Sequence, residues 1–109
     1  MKEVKLEIYV PEEFMPEIRD ALHDIGVGRV GDYDHVMSFH QVTGYWRALE
    51  GSNPYEGKQG EITRGDEVKM ELICPKEKVL DALRVIKKIH PYEEPAIHVL
   101  PLLDPENLP

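Results

Sequence analysis

The sequence predicts an α+β domain, a ferredoxin-like βαββαβ sandwich in which two helices cover one face of an antiparallel sheet. Two observations carry that prediction. The first is an internal repeat: Lys69-Met70-Glu71-Leu72-Ile73-Cys74-Pro75-Lys76-Glu77 follows Lys5-Leu6-Glu7-Ile8-Tyr9-Val10-Pro11-Glu12-Glu13 position for position. Asp81-Ala82-Leu83-Arg84 then echoes Asp20-Ala21-Leu22-His23 after a slip close to one helical turn. The second is periodicity, because each copy reads as a strand, a proline and then a helix, and each leads on to a further strand.

In chain order, Val4, Leu6, Ile8 and Val10 alternate with Lys5, Glu7 and Tyr9 as a half-buried strand. Pro11 ends it, and Glu12-Glu13 suit the positive end of a helix. Pro16 is tolerable only in about the first turn, so the helix starts no earlier than about residue 12. Phe14, Ile18, Leu22 and Ile25 form its apolar face, and Gly26 and Gly28 stop it. Residues 35–42 read as the next strand, which puts His35 and His40 on opposite faces. Gly44, Gly51, Asn53-Pro54, Gly57 and Gly60 mark a long excursion that carries Tyr45, Trp46 and Tyr55 as candidate subunit-interface residues. Glu61-Ile62-Thr63-Arg64 reads as a short strand, with Gly65-Asp66 turning into the strand that ends at Cys74. In the second helix Val79, Leu83 and Ile86 face one way, and Leu80 and Ile89 widen the stripe. Ile97 and Val99 belong to a last strand. The expectation is one domain over residues 1–103 and an extended tail over 104–109.

Composition narrows the function. A net charge of -8 over 109 residues argues against a nucleic-acid backbone or an anionic membrane as the main partner, since both need a basic face. No apolar run approaches the ~20 residues of a membrane span. The first residues lack the apolar core of a secretory leader. Cys74 is the one cysteine, so no intrachain disulfide forms, and a cytoplasmic location is expected. Its apolar neighbours and following proline suit an inert thiol. No nucleophile motif surrounds any Ser, His or Asp, and Gly26-Val27-Gly28 is too short for a phosphate loop.

The most distinctive stretch is His90-Pro91-Tyr92-Glu93-Glu94-Pro95-Ala96. Each proline biases the residue before it towards extended geometry, so the second helix should stop at about His90 and display the polar groups on a stiff corner. His90, Tyr92, Glu93 and Glu94 are therefore candidate ligand-binding residues, with His35 beside Tyr33 and Asp34 as a further one. His90, Glu93, Glu94 and His35 could hold a divalent metal, since imidazole plus carboxylate suits a transition ion. The bland alternative is that the prolines shape a corner while the carboxylates cap backbone. His98 and His23 read as packing or surface residues.

The blocks Gly31-Asp32-Tyr33-Asp34-His35, Thr43-Gly44, Glu50-Gly51-Ser52-Asn53-Pro54-Tyr55 and Gly60-Glu61, with the proline corner, resemble the central domain of the YqfO-like proteins. These form part of the dimetal-binding Nif-type interacting-factor family, also known as type 2 GTP cyclohydrolases. The likeness runs from about Lys2 to Leu103. It implies a fold similar to the trimeric PII and CutA proteins. In the larger relatives the metal ligands lie in two flanking lobes; neither is found in this sequence, so the dinuclear centre has no residues here onto which it could be carried. The resemblance thus implies a stand-alone domain that assembles as a homo-oligomer, a trimer by analogy. The expected function is a non-enzymatic, self-associating binding or regulatory domain with its ligand in clefts between subunits. The alternatives are a metal-binding protein or metal-dependent enzyme that uses the corner, and a protein-interaction module.

Overall fold

A computed structural model describes residues 2–108. Its order is β1 (Glu3–Val10), α1 (Met15–Asp24), β2 (Ser38–Arg47), β3 (Ile62–Pro75), α2 (Val79–Ile89) and β4 (Ile97–Pro101). The four strands make one antiparallel sheet in the order β2-β3-β1-β4, the ferredoxin-like arrangement. Alternate residues of β1 (Val4, Leu6, Ile8, Val10) and β3 (Val68, Met70, Leu72, Cys74) are buried under Ile18 and Leu22 of α1 and Ala82 and Ile86 of α2.

The repeat is a structural twofold. Pro11 and Pro75 share φ -58 and ψ 138, and each opens a short 3-10 turn before its helix. Glu71, the counterpart of Glu7, is also its direct partner across β1 and β3, so the pseudo-twofold passes between them. Two carboxylates facing each other would repel. Lys5 and its counterpart Lys69 offset this: the Lys5 Nζ lies 3.2 Å from Glu7 and 3.4 Å from Glu71, and the Lys69 Nζ lies 3.5 Å from each. This quartet occupies the sheet face opposite the helices.

Four expectations are corrected. The second strand begins at Ser38 rather than at residue 35, because His35 has φ +55 and turns the chain into the strand. β3 runs unbroken from Ile62, with no turn at Gly65-Asp66. Gly65 is there for want of a Cβ, which would lie 2.6 Å from the Cη2 of Trp46 across the ribbon. Tyr45 and Trp46 consequently lie on β2, and the excursion shortens to residues 48–61. Leu80 does not widen the buried stripe of α2, being 75% exposed.

The two faces of α2 can be told apart by mutation. Ile86→Ala should cost about 2–5 kcal/mol, from lost burial and a residual cavity. Leu80→Ala should stay within about 0.5 kcal/mol of wild type in the same urea denaturation.

Candidate functional site

The proline corner is clamped at both ends to one residue of β1. After the last helical bond, from the His90 amide to Ile86 O (2.9 Å), Pro91 holds His90 extended at φ -62 and ψ 130. That turns the imidazole inward, where its Nε2 lies 2.6 Å from the Tyr9 carbonyl oxygen. At the far end, the Tyr9 amide donates to Ala96 O at 3.1 Å. His90, 7% exposed, is the one buried polar side chain among the described residues.

This geometry settles the tautomer of His90. A carbonyl only accepts, so Nε2 carries the proton, and Nδ1 accepts the Tyr92 amide at 3.2 Å. Protonating Nδ1 would break that second bond. Burial accordingly pushes the His90 pKa below its ordinary 6.5, although the Tyr9 carbonyl and the Glu67 charge pull the other way. With both nitrogens engaged, His90 has no lone pair to offer an ion.

Tyr92 and Glu93 carry the clamp outward to the excursion. The Tyr92 hydroxyl donates to Glu67 Oε2 at 2.8 Å, and its pKa is pushed far up by burial and by that carboxylate. Its ring lies 4.7 Å from His90 and 5.8 Å from Tyr55, which in turn meets Phe14 edge-on at 6.4 Å. Glu93 accepts the Asn53 amide at 3.0 Å. Trp46 is committed inside the chain: its indole N–H donates to Glu56 O at 3.3 Å, and its ring covers Gly65. Between corner and excursion runs a groove of about 620 Å³. Trp46, Tyr55 and Tyr92 line it with Glu56, Glu67, Glu93 and Glu94.

The four expected metal ligands do not converge. Glu94 is exposed, Glu93 is spent on backbone, and His35 lies elsewhere, with its ring stacked on His23. Among the described residues, the one trio of His, Cys, Asp or Glu with donor atoms within 4.8 Å of one another is His23, Asp34 and His35. Only the motif Asp34-His35 was a sequence signal for it, because His23 comes near through folding alone. His40 stands on β2 and His98 on β4, where it lies 3.5 Å from Glu7. Cys74 is buried, and burial raises its thiol to about 11, so it stays protonated near neutrality.

No family model matches the chain. The GTP cyclohydrolase 1 type 2 homolog of Bacillus subtilis is 35% identical over 98 residues, which are 90% of this chain and 26% of that protein. A solved Bacillus cereus protein related to NIF3 superimposes with a TM-score of 0.81 at 32% identity, over 94% of this chain and 26% of that one. This chain is a relative of one YqfO-like domain. It spans about a quarter of the length of the proteins it matches. The divalent cation tolerance protein CutA of Archaeoglobus fulgidus shares the fold of this chain, at a TM-score of 0.69 and 17% identity over 92% of this chain and 83% of its own. Among the described residues no helix is long and apolar enough to cross a membrane.

The clamp gives a pH dependence of definite sign. Because folding lowers the His90 pKa, the unfolded chain binds more protons between 6.5 and the depressed value. The His90 contribution is complete above 6.5 and is lost as pH falls through that window. Urea denaturation at about pH 7.5 and about pH 5 should show a smaller loss of stability on acidification in His90→Gln than in wild type. At the higher pH the variant should be destabilised by about 1–3 kcal/mol, for the buried groups it leaves poorly paired.

Proposed function

We propose that this chain is a self-associating binding domain whose copies meet through the projecting β2–β3 ribbon, with a small organic cation held in the groove beside it. One observation supports this above the others. Beyond Val10, where β1 ends, β2 and β3 continue as a two-stranded ribbon with exposed apolar side chains, Tyr45 at 69% and Ile62 at 75%. A two-stranded ribbon is marginal in water by itself, and a row of exposed apolar groups is what a subunit contact would cover. Leu49 and Tyr55 extend the same exposed surface towards the groove. Three copies is the number that the likeness to PII and CutA suggests, and the ligand would then lie near the contact.

The ligand class follows from charge. Four carboxylates and four aromatic rings line the groove, with Arg47 as its one cation. Rings and carboxylates together attract an amine or quaternary ammonium group. A nucleoside triphosphate would meet like charge there, so the activity that the relatives' name prints is not proposed for this groove.

Light scattering after size exclusion at micromolar concentration tests the assembly. The expected mass is three times that of the protomer, and Ile62→Glu should shift it towards one copy while the helical circular dichroism is retained. A wild-type monomer would contradict the reading. For the groove, spermidine should raise the melting temperature of wild type and do so less in a Glu56→Gln, Glu94→Gln double variant. Equal shifts in both proteins would count against a cationic ligand.

A further inference from the structure

The connection from α1 to β2 folds back over the end of α1 and gathers a second set of ionisable groups, away from the groove. His23 lies in the last turn of α1, with Asp20 three residues earlier on the same helical face. The His35 ring stacks on the His23 ring, with centroids 3.8 Å apart and planes 23° apart. On one side of His35, Nδ1 lies 2.8 Å from Asp34 Oδ1; on the other, Nε2 lies 3.7 Å from Asp20 Oδ1. His35 is also the one non-glycine residue with positive φ among the described residues. Left-handed geometry costs roughly 1–2 kcal/mol in an L-residue, so something has to hold it there.

We propose that His23, Asp34 and His35 form a binding site for one divalent transition ion of the zinc type. Two imidazoles and a carboxylate are the donor set that borderline ions such as Zn²⁺ prefer, and three protein ligands leave a position for solvent. Nδ1 and Oδ1 now share a hydrogen bond at 2.8 Å, and an ion with bonds of about 2.1 Å would replace its proton and part them to about 3.4 Å, the edge of a tetrahedral shell. A ring nitrogen of His23 lies within 4.8 Å of the other two donors, and the ion would draw it in from there. With Nδ1 on the ion, the Nε2 proton of His35 faces Asp20, the carboxylate–imidazole pairing that orients a ligating histidine. The left-handed turn at His35 is what points its ring back at α1. None of these residues lines the groove, so the site stands or falls apart from the proposed function.

Isothermal titration of the tag-free full chain with zinc chloride tests it. One ion per chain is expected. His23→Gln and His35→Asn should each weaken binding at least tenfold, since loss of a mere outer-shell partner commonly costs about 10–100-fold. Asparagine at 35 tolerates the left-handed backbone, so the fold is kept, and circular dichroism checks this. His98→Gln, on the far strand, should bind as wild type. No measurable binding by wild type would overturn the proposal, and so would wild-type affinity in both His23→Gln and His35→Asn.

Discussion

The imidazole of His90 bridges two backbone groups, the carbonyl of Tyr9 and the amide of Tyr92. A buried, neutral, doubly bonded histidine ties the end of α2 to the edge of β1, while Ala96 ties the start of β4 to the same residue. Everything outside this clamp depends on it. Tyr92 reaches Glu67 and Tyr55 because the corner is held, and Glu93 reaches Asn53 for the same reason. The excursion then rests on the body through one chain of rings, from His90 through Tyr92 and Tyr55 to Phe14. A polar group inside a small core is costly unless every bond is made, and here both are.

The pseudo-twofold explains why only one of the two halves carries such a site. Up to the helices the halves are near copies, down to the dihedral angles of Pro11 and Pro75. They part at the helix ends. After α1 the amide of Gly26 bonds to His23 O, and the chain turns through two glycines at positive φ into a long return. After α2, Pro91 forces an extended exit and folds the imidazole inward. One end of the duplicated unit thus leads to the His23–His35 cluster and the other to the groove.

Much of this was legible in the sequence. Strand alternation, the prolines after each strand and the repeat specify the sheet, the helices and their relation, because local sterics and burial decide those features. The extended exit at His90 was legible for the same reason. What His90 does was not: its partners, Tyr9 and Tyr92, include one 81 residues away, and only the register of β1 against β4 brings them together. Gly65 misled because a glycine before an aspartate resembles a turn, whereas the constraint is the Trp46 ring on the neighbouring strand. His35 misled because alternation from Val36 onward extends plausibly backward, and no local signal marks the left-handed turn that ends it.

Nitrogen NMR of the imidazoles across pH tests the clamp most directly. The account predicts that the His90 signals report the neutral tautomer with its proton on Nε2, and that this ring titrates below the ordinary 6.5. A proton on Nδ1, or an imidazole already half-charged at or above 6.5, would contradict it.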